Sequence, residues 1–242
     1  MEQNSVKLSQ RLIHVASFLP NGAKFADIGS DHAYLPCYVC LKDNTATAIA
    51  GEVNEGPYQS ARKSVRKRGL EKRIDVRLGN GLEVLNEDDQ VEQIVIAGMG
   101  GALIAQILEE GKGQLADVKR IIAQPNIDAR QVRIWLNENG FHLSDEQIID
   151  EKGHIYEILV ADRNADSPYI HTLAQKQLLF GPFLLENKTE AFVQKWHQEK
   201  YKLNAVIEQM KQATLPNIGK INQFTEELTW IKEEIANDKY SD

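Results

Sequence analysis

The chain has 242 residues, enough for one α/β core and a smaller additional unit. With 42% hydrophobic and 26% charged residues it has the composition of a globular protein, and without an apolar run of about 18 residues it is not expected to cross a membrane. The formal net charge of −7 is unusual for a nucleic-acid-binding protein, although a local basic stripe can still bind phosphate groups.

The amino-terminal segment predicts a cytoplasmic protein that begins with a helix. Residues Met1–Ser5 contain an acid and no apolar run, which is not the pattern of a secretion signal. Apolar residues then recur at helical spacing over Ser5–Leu19, and the turn-forming residues Pro20–Gly22 end the pattern. We therefore expect a first helix over Ser5–Leu19.

Short strands and helical stretches alternate over the next 140 or so residues. Strands are predicted at Lys24–Ile28, Thr47–Gly51, Ile74–Leu78, Gln93–Ala97 and Lys119–Gln124. Helices are predicted at Ala33–Leu41, Pro57–Arg68, Gly101–Glu110 and Ala129–Asn139. Strands separated by helices indicate a parallel sheet that is covered on both faces.

A hairpin completes this α/β pattern. Its predicted strands are Phe141–Ile149 and His154–Asp162, joined by a tight turn at Glu151–Gly153. Five βα units followed by a hairpin give the strand order of a Rossmann-like methyltransferase sheet (class I). A nicotinamide-binding domain would more often continue with a parallel sixth strand.

The remainder of the chain has the pattern of two long helices. Two series of residues follow heptad spacing, with a break at Leu215–Asn217. The series are Phe192, Trp196, Glu199, Leu203, Val206 and Met210, and Ile221, Phe224, Leu228, Ile231 and Ile235. We predict an α-helical coiled-coil hairpin, and therefore an α/β domain over residues 1–163 and a helical domain over residues 164–242.

The turn after the first strand is the first candidate site, because open α/β sheets bind ligands at the carboxyl ends of their strands. A dinucleotide fingerprint would need three glycines here, and only Gly29 is present. Asp31 would repel a phosphate but suits the cationic sulfonium and ammonium groups of S-adenosylmethionine. Alternatively, the segment is an ordinary turn in which Asp31 is a helix N-cap.

The next two strand ends also carry polar residues. Glu52 could accept hydrogen bonds from ribose hydroxyls, and Asn80, between Gly79 and Gly81, could recognise an adenine edge. Each could also be a surface turn residue. Since they follow successive strands in the order that a cofactor site requires, we favour a shared site. The residues predicted to bind the cofactor are Asp27, Gly29, Ser30, Asp31, His32, Glu52, Val53, Gly79, Asn80, Gly81, Gly98, Met99 and Gly100.

Three motifs carry a resemblance to a known family. They are Asp27–Pro36, with the sequence DIGSDHAYLP, the glycine-rich segment Ala97–Gly101, and Gln124–Asn126. Together they are similar to the bacterial TrmK family of tRNA (adenine-22-N1) methyltransferases, and the similarity extends through the helical carboxyl terminus. The resemblance implies S-adenosylmethionine as cofactor and N1 of adenine 22 in tRNA as methyl acceptor.

Methylation of adenine N1 needs alignment more than proton removal, because N1 carries its own lone pair. The catalytic candidates are Asp31, His32, Tyr34, Gln124 and Asn126. Asp31, Gln124 and Asn126 are expected to orient or to stabilise charge, and Tyr34 to stack on the base or to be a core residue. His32 is the candidate for proton transfer, or it makes only local hydrogen bonds.

A local basic stripe is the predicted tRNA contact. Seven cations lie within twelve positions, opposed only by Glu71. The residues expected to bind RNA are Arg62, Arg66, Lys67, Arg68 and Arg73 of the stripe, and Arg130 outside it. Lys63 and Lys72 are the other two cations of the stripe. Arg11 and Arg133 are secondary candidates. The stripe could also be the solvated end of a helix that stops at Gly69.

Alternative functions differ in what they require of the sequence. A methyltransferase for another RNA or a small molecule would need the same cofactor site. A non-catalytic RNA-binding assembly factor would need no intact cofactor turn. The retained Gly29 and Glu52 argue against that function.

The spacing of Cys37 and Cys40 resembles half a zinc or redox site, but without a second pair of cysteines we favour a packing role for both. No metal is expected, and no protein partner is identified.

Overall fold

The computed structural model describes residues 6–236. Its strands are β1 (Lys24–Ile28), β2 (Thr47–Glu52), β3 (Ile74–Leu78), β4 (Gln93–Gly100), β5 (Arg120–Ile127), β6 (His142–Glu151) and β7 (His154–Asp162). Its α-helices are α1 (Gln10–Ser17), α2 (Tyr34–Lys42), α3 (Glu55–Lys67), α4 (Gly101–Glu110), α5 (Ala129–Glu138), α6 (Ala174–Phe180), α7 (Pro182–Glu186), α8 (Glu190–Lys211) and α9 (Ile218–Ala236). None of the described helices is long and apolar enough to span a membrane.

The seven strands form one sheet in the order β3-β2-β1-β4-β5-β7-β6. The five strands from β3 to β5 are parallel, and β7 pairs antiparallel with β5. Both predicted features, the parallel sheet and the closing hairpin, are confirmed. Because β1, β2 and β4 end at the same edge of the sheet, their carboxyl ends bring Gly29, Glu52 and Gly98 to one place.

The first helix is shorter than predicted. It begins at Gln10 because the hydroxyl of Ser9 accepts a hydrogen bond from the backbone amide of Leu12, which makes Ser9 the N-cap. It ends at Ser17, two residues before the predicted limit. The predicted first residue, Ser5, lies outside the described residues.

A buried ion cluster joins α5 to the hairpin. The guanidinium of Arg133 is inaccessible and lies 2.7 Å from the carboxylate of Glu146 on β6 and 2.5 Å from that of Glu157 on β7. The prediction that Arg133 is a secondary tRNA contact is therefore wrong. Arg133 lies on the face of α5 that packs against the hairpin, where β6 and β7 each contribute one of these carboxylates.

Contacts divide the chain into two compact units. The first comprises the residues up to 147 together with 156–168, and contains the parallel sheet. The second comprises the hairpin tip, residues 148–155, together with the residues from 169 onward. The predicted domain boundary at residue 163 is a single point in the chain, whereas the hairpin belongs partly to each unit.

The second unit has an apolar core that draws on several segments. Phe180, Phe192, Trp196 and Ile231 are buried together, with Ile148 of the hairpin tip among them. The start of α8 therefore lies against the end of α9, so the two helices run antiparallel. One seam residue is wrong: Val206 is 39% exposed, whereas Ile207 is 3% exposed and lies with Ile221 and Leu228. The residue that faces the partner helix is therefore Ile207, four positions after Leu203, rather than Val206, three positions after it. The coiled-coil character of the pair stays a prediction.

Candidate active site

The turn after β1 has an uncommon backbone conformation. Asp31, His32 and Ala33 have φ angles of 43°, 68° and 57°, in the left-handed region that side chains with a Cβ disfavour. The carboxylate of Glu52, at the end of the adjacent β2, lies near the backbone amides of His32 and Asp31, which favour its charged form. The carboxylate therefore stabilises a turn that would otherwise be strained.

Glu52 itself is buried and only partly satisfied. Its Oε1 has no hydrogen-bond partner among residues 6–236. Burial raises the pKa of the carboxyl above its ordinary value and the charge of Asp31 raises it further, while the two backbone amides lower it. A buried acceptor of this kind costs folding free energy unless a ligand donates to it.

Asp27 lies beside this turn and is also buried. The hydroxyl of Ser30 donates a 2.6 Å hydrogen bond to Asp27 Oδ2. Burial raises the pKa of Asp27 from its ordinary 3.8 to about 7, the Ser30 hydrogen bond opposes that rise, and the nearby Glu52 adds to it. Asp27 therefore titrates near neutral pH in the folded chain.

This shift predicts a decline in stability as pH rises. Below about pH 4 the carboxyl is protonated in both states; between about 4 and 7 only the unfolded chain ionises, so the free energy of unfolding falls, and above about 7 it levels off. Asp27→Asn keeps an acceptor for Ser30 and should remove this decline. Urea unfolding of both proteins across that range measures it, and parallel curves would contradict the shifted pKa.

A cavity of about 220 Å³ opens at the ends of β1, β2 and β3. Half of its lining was predicted: Gly29, Val53, Gly79, Asn80, Gly81 and Met99. The wall from α4 was not predicted, and consists of Leu103, Gln106, Ile107 and Glu110. These four residues recur at steps of three and four, so the helical period of the segment could have placed them on one face.

Glycine is required at the centre of this cavity. Gly29 has a φ of +71°, and a Cβ placed there would lie 2.2 Å from Cε of Met99. A side chain at this position would therefore fill the space between β1 and β4.

The ends of β4 and β5 are joined by a network of amides. The backbone amide of Gly98 donates to Gln124 Oε1 at 3.1 Å, and Gln124 Nε2 donates to Asn126 Oδ1 at 3.2 Å. Asn126 Nδ2 donates to the carbonyl of Gly98 at 2.8 Å, which closes the circuit. Arg11 Nη1 also donates to Gln124 Oε1. Gln124 is 0% exposed, so Asn126, which is exposed, is the outer member of the network.

The remaining catalytic candidates lie at the surface of the β1 turn. Nε2 of His32 is 3.3 Å from Oδ1 of the exposed Asp31. The rings of His32 and Tyr34 have centroids 5.3 Å apart, and Tyr34 is 40% exposed. The alternative that Tyr34 is a core residue is therefore wrong. Ile127, which follows Asn126, is 73% exposed and was not predicted as a site residue.

The basic stripe is only partly available to a ligand. Arg62, Arg66 and Lys67 are exposed on α3, and Arg66 is 3.7 Å from Glu71. Arg68 donates to the carbonyl of Ser64 at 2.9 Å. On α3, which begins at Glu55, Arg62, Arg66 and Lys67 lie about 10 to 18 Å along the helix from its first residue.

Two predicted RNA-binding arginines have other surroundings. Arg73 donates to the carbonyls of Cys40 and Asp43 at 2.6 and 3.0 Å, so it caps the end of α2, and its prediction as a tRNA contact is not supported by this geometry. Arg130 is half-buried in the first turn of α5 and also interacts within the protein. Among the arginines and lysines predicted to bind RNA, Arg130 is the nearest in sequence to Asn126 and to the end of β5.

Cys37 and Cys40 are free thiols inside the protein. Burial raises the pKa of Cys37 to about 11 and that of Cys40 to about 12, which keeps both protonated and unreactive at neutral pH. The packing role predicted for them is confirmed. Within residues 6–236 no group of three or more histidine, cysteine or carboxylate side chains has a metal-binding arrangement.

Comparison with known proteins identifies close relatives over nearly the whole chain. The sequence model of the family described as "TrmK: tRNA (adenine(22)-N(1))-methyltransferase" matches residues 25–239. The tRNA (adenine(22)-N(1))-methyltransferase of Bacillus subtilis is 46% identical over 235 residues, which cover 96% of this chain and 98% of that protein.

Solved structures give the same result. The crystal structure of the B. subtilis M1A22 tRNA methyltransferase TrmK has a TM-score of 0.88 at 44% identity, covering 96% of this chain and 100% of that one. The Streptococcus pneumoniae protein Sp1610, in complex with S-adenosyl-L-methionine, has a TM-score of 0.83 at 45% identity, covering 95% and 100%.

Proposed function

The chain belongs to the tRNA (adenine(22)-N(1))-methyltransferase family, and on that premise we propose that the cavity at the ends of β1, β2 and β3 holds S-adenosylmethionine for transfer of its methyl group to N1 of adenine 22 in tRNA. The observation that carries this assignment is Glu52 Oε1, a buried carboxylate oxygen without a partner among the described residues. A ribose hydroxyl is the donor that it lacks.

The surrounding residues fit the cofactor. Gly29, Gly79 and Gly81 keep the cavity open where side chains would fill it, and Asn80 supplies an amide for the adenine edge. Leu103 and Ile107 offer an apolar wall to a flat ring. The carboxylates of Asp27, Asp31 and Glu52 favour a cationic ligand over a phosphate. When bound, S-adenosylmethionine supplies an electrophilic methyl group.

The side of the site formed by β4 and β5 is the proposed position of the acceptor base. Adenine N1 attacks with its own lone pair, so these residues need only align the ring and exclude water. Asn126 is exposed at this edge and can hydrogen-bond the base, while Gln124 acts from behind it. Asp31 would stabilise the positive charge that methylation leaves on the base. The exposed side chains of Tyr34 and Ile127 can contact an extruded base or its neighbours.

Two further surfaces are proposed for the tRNA itself. The exposed cations of α3 lie about 10 to 18 Å along the helix from its first residue, a span that folded tRNA but not a small acceptor would bridge. The helical residues 164–242 are proposed as a second contact surface of the substrate. Since tRNA is its substrate, we place the protein in the cytoplasm.

The test is methylation of unmodified tRNA with labelled S-adenosylmethionine, followed by nucleoside analysis. We expect N1-methyladenosine at position 22 and no incorporation into the same tRNA with guanosine at that position. Label at another adenine would show a different target, and a protein that binds the cofactor without methylating any tRNA would contradict the proposed reaction.

The role of α3 has its own prediction. Replacing Arg62, Arg66 and Lys67 together by glutamine should weaken tRNA binding and flatten its salt dependence, because fewer counterions are released. Affinity for S-adenosylmethionine should not change. The matched control replaces three exposed lysines elsewhere, Lys7, Lys24 and Lys112. If both triple variants show the same salt slope, the α3 cations are only a solvated helix face.

A further inference from the structure

Arg11 lies at the acceptor side of the site although 113 residues separate it from Gln124. Its Nη1 donates to Gln124 Oε1, and a Cβ placed on Gly98 would lie 3.3 Å from the same nitrogen. On its other side, the guanidinium lies 5.1 Å from the centroid of the Tyr156 ring. The family match begins at residue 25, after α1, so Arg11 is assigned no role by it.

The chemistry of these groups lets Arg11, together with the backbone amide of Gly98, fix the orientation of the network. A carboxamide can be turned by 180° with little change in shape, which exchanges its donor and its acceptor. A guanidinium can only donate, so Arg11 and the backbone amide of Gly98 both require the oxygen of Gln124. Gln124 Nε2 must then point to Asn126, which in turn places Oδ1 of Asn126 toward Gln124 and Nδ2 toward the carbonyl of Gly98.

We propose that Arg11 is a positioning residue for methyl transfer, acting through Gln124 to fix the donor and acceptor pattern that Asn126 presents to the adenine. This inference rests on the proposed function, since it requires the base to meet the exposed amide of Asn126. Arg11 does not touch the reacting atoms. With the backbone amide of Gly98 it holds one of the two amide orientations, and the base is aligned only in that one.

Two other roles for Arg11 would leave different signatures. A phosphate contact would act on tRNA affinity and on its salt dependence. A purely structural contact would act on thermal stability, and activity would fall only as the folded fraction falls. A positioning role lowers kcat while KM for tRNA, the affinity for S-adenosylmethionine and the melting temperature stay close to those of the parent.

The first experiment compares Arg11→Met and Arg11→Lys with the control Lys7→Met, which removes a charge from the same segment. We expect Arg11→Met to lower kcat by about 10- to 100-fold, the scale of a small misalignment in an active site. Arg11→Lys should recover part of this loss, because an ammonium also only donates. Lys7→Met should behave as the parent.

A second variant tests the pathway without removing the arginine. Gln124→Glu keeps both acceptor contacts, to Arg11 and to the backbone amide of Gly98, but cannot donate to Asn126. It should lower kcat as Arg11→Met does, without loss of stability. In the Asn126→Ala background, Arg11→Met should lower kcat little further, because both substitutions disable the same network of Arg11, Gln124 and Asn126.

The outcomes separate this inference from the function on which it rests. If the parent methylates tRNA and Arg11→Met has the parent's kcat, the positioning role is wrong and the function stands. A changed salt slope, or losses that multiply in the double variant, would also overturn it. A parent protein without any tRNA methylation would overturn the proposed function itself.

Discussion

Replacing Glu52 by alanine is expected to lower the affinity for S-adenosylmethionine by about 10- to 100-fold, the loss that follows from removing a hydrogen bond to a charged group. The variant loses the buried acceptor proposed for the ribose, and it also loses the acceptor of the His32 and Asp31 amides. Both losses act on the proposed cofactor site, one through the proposed ribose contact and one through the β1 turn. Titration calorimetry with the purified protein measures the change.

Two further variants divide this effect. Glu52→Gln keeps one oxygen, for the turn or for the ligand but not for both, and carries no charge, so its affinity should lie between those of the parent and Glu52→Ala. Glu55→Ala removes an exposed carboxylate from the first turn of α3, where it accepts a hydrogen bond from Gln59, and should bind as the parent does. Equal affinity of Glu52→Ala and Glu55→Ala would overturn the assignment of Glu52.

The unfolding free energy distinguishes loss of a binding group from loss of structure. Because Glu52 Oε1 is buried without a partner among the described residues, it costs stability in the unliganded protein. Glu52→Gln should therefore be at least as stable as the parent without ligand, while binding the cofactor less tightly. Such a trade-off between stability and ligand affinity is expected where a buried polar group serves to bind a ligand.

Part of the proposed cofactor site could be located from the sequence because its signals are local. Gly29, Glu52 and Asn80 each follow a strand whose apolar pattern is clear, and parallel strands bring their ends to one edge whatever the rest of the chain does. The α4 wall was missed for the opposite reason. Leu103 and Ile107 are apolar residues of a helix, which sequence reasoning assigns to the core without asking which residues line a cavity.

Long-range polar contacts could not be predicted in this way. Nothing near Arg11 in the sequence indicates that its partner is Gln124, and Gln124 was expected to meet the base itself rather than to be buried behind Asn126. Charge was similarly misleading for Arg73 and Arg133. A cation in a polar segment is usually solvated, and only the tertiary structure shows that one binds carbonyls and the other two carboxylates.

Arg133 gives the largest expected effect on stability. Arg133→Met should lower the free energy of unfolding by about 3–5 kcal/mol, because it leaves the buried carboxylates of Glu146 and Glu157 without the guanidinium between them. The matched control is Arg120→Met, which breaks an ion pair with Asp162 on the same hairpin. That pair is about one-third exposed, and its loss should cost about 1 kcal/mol or less. Urea unfolding followed by circular dichroism measures both.

A triple variant tests whether uncompensated charge is the cause. Replacing Glu146 and Glu157 by leucine in the Arg133→Met background removes all three charges, and apolar replacement of a whole buried ion cluster is often neutral or stabilising. The triple variant should therefore recover most of the lost free energy, although it carries more substitutions than the single one. If it is no more stable than Arg133→Met, the cluster contributes through shape rather than charge. If Arg133→Met costs no more than Arg120→Met, the buried cluster does not anchor α5 to the hairpin.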